Sequence, residues 1–130
     1  MGTTNKRQLG QKGEQLAQQY LQRQGLEPIA RNYRAGHWEV DIIAKDPKEE
    51  VLVFAEVKSY FADPLNPPEW RVSKSQQKRI IKAAYAFLDE HPEYENFSVR
   101  YDILIVDFSN YPANITHYEA AFWQDDFLPS

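Results

Sequence analysis

The sequence predicts an α/β domain with the element order α-β-β-β-α-β, and three observations predict it. Two stretches, 9–24 and 73–90, repeat apolar residues with the helical period. Between and after them lie short runs with strand character, 28–34, 37–44, 51–58 and 98–108. The breaks between runs carry Gly, Pro or Asp, which punctuate a chain. Helices that alternate with strands must pack on a sheet to hide their apolar faces, which makes two or three layers.

In the first helix, "LGQKGEQLAQQYLQRQ" sets Leu9, Leu16, Ala17, Tyr20 and Leu21 on one arc. Gly10 and Gly13 leave room for a close neighbour, and Gly25 ends the helix. "PIARNYR" is a short strand, followed by "HWEVDIIA" and "VLVFAEVK", which are joined through the turn-forming "KDPKEE". Residues 61–70, "FADPLNPPEW", hold three prolines without periodicity and form an irregular loop. Ser73 caps the second helix, whose buried stripe is Ile80, Ile81, Ala84, Phe87 and Leu88, and His91-Pro92 stops it. "SVRYDILIVDF" is a strand with a strongly apolar second half; a short strand near Ile115 and an aromatic tail of Phe122, Trp123 and Phe127 follow. The whole of 1–130 is expected to be a single domain, with 1–8 a flexible start and 124–130 a polar tail.

Hydrophobic content of 42% with 26% charged residues is ordinary for a soluble globular protein. No apolar run approaches the roughly 20 residues of a membrane span, and the polar start lacks a signal-peptide core, so a cytoplasmic protein is expected. Without cysteine there is no disulfide framework and no thiolate chemistry. Net charge is −4, which argues against a nucleic-acid partner, but the charge is polarised. Every Lys and Arg lies at or before Arg100, whereas Asp102, Asp107, Glu119, Asp125 and Asp126 follow. Residues 71–82, "RVSKSQQKRIIK", carry five basic residues and no acidic one.

The stretch "VLVFAEVKSY" (51–60) opens as a buried strand and ends in charge. Residues two apart on a strand share a face, so Leu52, Phe54, Glu56 and Lys58 project together, as do His37, Glu39, Asp41 and Ile43. If 37–44 and 51–58 pair as a hairpin, the hydrophobic pattern selects a register in which facing numbers sum to an odd value, about 95–97. Asp41 then stands opposite or diagonal to Glu56. Two carboxylates so placed repel unless a cation sits between them or one is protonated. Mg²⁺ uses one or two carboxylates with waters and substrate phosphate, and Lys58 beside it suits phosphodiester hydrolysis. The competing reading is a solvated strand end with a surface Glu–Lys pair, and spacing alone leaves both open.

Taken in order, "GEQLAQQYLQRQG", "ARNYR", "WEVDIIA", "VFAEVK", "VSKSQQKRIIKAAYAFL", "VRYDILIV" and "ITHYEAAF" resemble the YraN-like family of small bacterial proteins, over about residues 10–123. That family looks like a member of the restriction-endonuclease-like PD-(D/E)XK superfamily and is similar to archaeal Holliday-junction resolvases. The resemblance implies a restriction-endonuclease-like core, a central mixed sheet flanked by helices, with Mg²⁺ (or Mn²⁺) as cofactor and nucleic acid, expected to be DNA, as partner. It also implies roles. Asp41 and Glu56 become metal ligands, Lys58 a catalytic residue, and Glu14 of "KGEQLA" the first-helix carboxylate at the metal. Glu39 becomes metal-proximal, with a salt-bridge partner as its other reading. Glu14 lies at the rim of the helix's buried arc, where a carboxylate favoured by the helix dipole is the alternative. Trp38, Tyr60 and Gln76 depart from the family pattern, and the last two replace basic groups, which bears on DNA affinity.

Lys74, Lys78 and Lys82 fall at i, i+4 and i+8 on the second helix, with Arg71 and Arg79 near and Gln77 on the same side. Such a stripe can track phosphates or be the solvated face of an amphipathic helix. His37 reads as a strand-edge residue, His91 and His117 show no ligand spacing, and Arg100 and Asp102 share a face as an ion pair. Trp70 is a loop anchor or a base-stacking residue. The expected function is a metal-dependent endonuclease for branched or structured DNA, whose two-strand cutting calls for a homodimer. The alternatives are a catalytically idle nucleic-acid-binding module and a protein-interaction scaffold on the same fold.

Overall fold

The computed structural model describes residues 6–61 and 72–124. They comprise α1 (Lys6–Arg23), β1 (Glu27–Ala35), β2 (Trp38–Asp46), β3 (Val51–Tyr60), α2 (Lys74–Glu90), β4 (Ser98–Asp107) and β5 (Asn114–Phe122), with a 3₁₀ turn at Pro92–Tyr94. The strands make one sheet in the order β1-β2-β3-β4-β5. β1, β2 and β3 run as an antiparallel meander; β3 and β4 are parallel, joined across α2, and β5 returns antiparallel. This mixed sheet between two helices is consistent with the expected restriction-endonuclease-like core. Among the described residues no helix is long and apolar enough to cross a membrane.

Each helix covers its own face. Ala17 and Leu21 of α1 pack with Ile42, Ala44, Val53, Ala55, Leu104 and Val106. Ile80, Ile81, Ala84 and Phe87 of α2 pack with Ile43, Leu52, Phe54, Tyr101, Ile103 and Ile105. Neighbouring residues of β3 and β4 thus go to opposite cores, which is why both strands read as continuous apolar runs.

Ser73 caps α2 in a reciprocal box: its Oγ accepts the Gln76 N–H and the Gln76 side chain accepts the Ser73 N–H, both at 3.1 Å. Gln76, one of the departures from the family pattern, is therefore engaged in starting its helix. α1 ends in a Schellman motif, with Gly25 at φ +89° and Leu26 N–H donating to the Leu21 carbonyl at 3.0 Å. α1 reaches back to Lys6, three residues earlier than its apolar periodicity shows, because its first turn is polar.

Three expectations change. His37 lies in the exposed turn after Gly36, not on a strand. β5 is nine residues long and ends in Phe122, which is buried and stacks on Tyr101 with ring centroids 5.1 Å apart; it is not part of a tail. Its register slips between Tyr101 and Ile103, and Ala120 takes φ +51°, so the run lacks a clean period of two. Gly10 has nothing within 4 Å of where a Cβ would stand, so it does not admit a close neighbour. Arg71, Trp70, the proline-rich 62–70, residues 1–5 and residues 125–130, including Asp125, Asp126 and Phe127, lie outside the described residues.

Candidate metal centre

β2 and β3 pair with Ile42 opposite Ala55 and Ile43 opposite Phe54, the odd register that the hydrophobic pattern selects. In that register Asp41 stands across from Glu56. The ladder ends at Ile42 and Ala55, and the Asp41 carboxylate takes over the next free donor: Oδ2 accepts the Val57 N–H at 2.8 Å. On the other side, the β1 register puts Asn32 across from Asp41, and Asn32 holds φ +53°, a left-handed conformation that Asn tolerates better than most residues. Alternation also slips here. Val40 joins the core around α2 while Ile42 joins the core around α1, although an ideal strand would put both on one face. Asp41 therefore sits where β2 is irregular against both neighbours, at a fork open to side chains from α1.

α1 supplies one such side chain because of Gly13. A Cβ there would stand 1.7 Å from Ser59 Oγ and 3.0 Å from Ser59 Cβ. Turning the hydroxyl relieves the first contact but not the second, so the helix lies this close to β3 only with glycine. The next residue, Glu14, is thereby brought to the fork. Asn32 hydrogen-bonds its carboxylate, Arg31 Nη2 stands 3.9 Å from its Oε1, and that oxygen is buried without a hydrogen-bond partner.

The electrostatics are those of a site short of positive charge. Burial, then the neighbouring Asp41, pushes the Glu56 carboxyl up to about 8, against the lowering effect of Lys58. Burial likewise raises Asp41 to about 6; the Val57 N–H opposes this, while Glu14 and Glu39 add to it. Asp41 and Glu56 hydrogen-bond each other through their carboxyls, so the pair titrates as a unit. Glu14 is raised by burial too, against the Asn32 hydrogen bond and the Arg31 charge. Lys58 makes no direct ion pair with Glu56 among the described residues, so the simple surface-pair reading does not describe it.

Asp41, Glu56, Glu14, Glu39 and Lys58 thus share one electrostatic neighbourhood. Glu39 pairs with Arg34 at 3.2 Å, and its charge also raises Asp41 and Glu56. The second-helix stripe is not part of this neighbourhood. Lys74, Lys78, Arg79 and Lys82 are exposed on α2, and the ionic groups acting on the carboxylate pair come from α1, β2 and β3. Gln77 donates to its own helix start, at the Val72 carbonyl, 2.9 Å away. Asn32 escaped the sequence reading because its contribution is a backbone conformation, for which "ARNYR" offers only the presence of an Asn between strand residues.

The donor set suits a hard divalent cation: all-oxygen, with two carboxylates held together and one buried Glu14 oxygen unpartnered. Among the described residues no group of three or more His, Asp or Glu forms a ready-made cage. The residues fit the mode in which two carboxylates hold Mg²⁺ with water and phosphate completing the shell.

Fold and site define an α/β domain with a restriction-endonuclease-like architecture and an acidic fork at the end of its β2–β3 hairpin. The chain belongs to the Uncharacterised protein family UPF0102, whose pattern matches residues 13–106. It is 41% identical over 101 residues to a UPF0102 protein of Acinetobacter baumannii strain AYE, covering 78% of this chain and 74% of that one. Over 114 residues it is 36% identical to a UPF0102 protein of Geobacter metallireducens, covering 88% and 91%. Over 119 residues it is 34% identical to one from Clostridium perfringens, covering 92% and 93%. These matches bear out the resemblance to the YraN-like family.

Proposed function

We propose that the protein is a cytoplasmic, metal-dependent endonuclease that hydrolyses phosphodiester bonds in branched or structured DNA. The observation that carries this reading is the Asp41–Glu56 pair, half-buried at the end of a hairpin and pushed toward neutrality, with Lys58 on the same strand as Glu56. Asp41 and Glu56 would hold Mg²⁺ or Mn²⁺, with Glu14 completing the donor set. Once bound, the ion supplies Lewis-acid polarisation of the scissile phosphate. The Val57 N–H keeps Asp41 turned into the fork. Lys58 neutralises charge that develops on the phosphoryl oxygens.

The test is incubation of labelled four-way junction, flap, duplex and single-stranded DNA with the protein and Mg²⁺ or Mn²⁺, beside Glu56→Gln and Lys58→Ala. Metal-dependent cutting by wild type alone supports the reading and ranks the substrates. Equal binding by all three proteins without cutting would move the assignment to an idle binding module. The net charge of −4 favours a scaffold, and absence of binding would put that alternative ahead of the other two.

A further inference from the structure

A recess of about 390 Å³ opens beside the carboxylates, between the start of α1 and the middle of β1. Arg7, Gly10, Gln11 and Glu14 line it from α1, and Asn32 and Arg34 from β1. The recess and the metal centre therefore share a residue. Arg7 makes no ion pair among the described residues. Arg34 pairs through its Nε with Glu39 at 3.2 Å and remains largely exposed. Gly10 presents bare helix backbone, since a Cβ there would meet nothing within 4 Å. The first turn of α1 contains no acidic residue, so the helix dipole adds positive potential on the same side.

A site built from carboxylates repels a polyanion unless fixed cations beside it bring the backbone in. Arg7 and Arg34 line the same recess as Glu14, whereas the α2 stripe does not. We propose that this recess, on the strength of the endonuclease reading, holds a backbone phosphate of the strand next to the one being cut. Guanidinium groups from opposite walls match phosphate oxygens in a way that lysines on one exposed helix face do not. Gln11 and Asn32 add neutral hydrogen-bond donors, and the missing side chain at Gly10 lets the sugar–phosphate chain approach the helix.

The test measures fluorescence anisotropy of labelled junction and duplex across a salt series, with Ca²⁺ replacing Mg²⁺ to suppress cutting. The Arg7→Ala/Arg34→Ala double variant is expected to bind at least about tenfold more weakly, with a log–log salt slope shallower by roughly one phosphate contact. Lys74→Ala/Lys78→Ala/Lys82→Ala should change affinity less. Gly10→Glu places a carboxylate in the recess without a steric clash, and should weaken binding while leaving thermal stability unchanged or higher. Wild-type affinity and slope in both the arginine double variant and Gly10→Glu would overturn the proposal, even if the protein cuts DNA. Loss of binding in these variants, from a wild type that binds but never cuts with Mg²⁺, would keep the phosphate site and remove the endonuclease reading. A wild type that binds neither DNA would remove both.

Discussion

Asp102 on β4 is fully buried and the Asp41–Glu56 pair on β2 and β3 is half-buried in the same sheet, and their surroundings treat these carboxyl groups in opposite ways. Asp102, fully buried, accepts from Arg100 Nε at 2.9 Å, Arg100 Nη2 at 3.0 Å and the Ala120 N–H at 3.0 Å, with His117 Nε2 2.7 Å from its Oδ2. Burial alone would raise its pKa, but the hydrogen bonds from His117, Arg100 and Ala120 together hold it below the usual carboxylate value. The slip in β5 at Ala120 is what turns that N–H toward the carboxylate, so the bulge and the network are one feature. Asp41 and Glu56 have one backbone donor and each other. A carboxylate that holds a fold together is surrounded by its partners. One left unsatisfied beside a like charge costs stability, and that cost points to a function that needs the strain.

The largest effect that should separate the two regions is on stability. Asp102→Ala leaves a half-buried Arg100 without its counter-ion and His117 without its hydrogen-bond partner, and chemical denaturation should show a loss of about 3–5 kcal/mol. Next comes the contact that delivers Glu14: Gly13→Ala should cost about 1–3 kcal/mol by overpacking against Ser59, measured in the same way. At the acidic fork the sign reverses. Glu56→Gln removes the repulsion and should raise the stability of the metal-free protein by about 0.5–2 kcal/mol while abolishing any metal-dependent cutting.

The comparison also predicts a pH dependence. The folded-state pKa values of Asp41 and Glu56 lie above their ordinary values of 3.8 and 4.5. The folded protein therefore takes up protons that the unfolded chain does not, and stability increases as pH falls through about 8 and about 6. Asp102 has the opposite sign: its contribution is present above the ordinary value of 3.8 and is lost as pH falls through its lowered folded value. Thermal unfolding of the metal-free protein should thus show a maximum in mildly acidic solution, with the alkaline limb flattened in Glu56→Gln. An unchanged alkaline limb in that variant would contradict the assignment of the strain to the pair.

The pairing of Asp41 with Glu56 was legible because one apolar pattern fixes one register, and register fixes which carboxylates face each other. Gly13 was legible as a helix residue reserved for a close approach, and Ser73 as a cap, because both act through local chemistry. The Arg100–Asp102 pair was legible from spacing, but His117 was not, since it reaches Asp102 across a slipped register. β5 ran longer than its pattern for the same reason. Asn32, Arg7 and Arg34 were hidden in a different sense: they meet only after α1 has docked on the sheet. The α2 lysines read the same way in sequence under either role, because the outer face of any amphipathic helix looks like a binding stripe.

The most direct test of the central claim is calorimetric titration of Mn²⁺ into the metal-free full-length protein, beside Asp41→Asn and Glu56→Gln. The account predicts a saturable site in the wild type that is lost or greatly weakened in both variants, even though both fold. Equal heats in all three proteins, or no binding by the wild type, would show that the strained pair is not a metal centre.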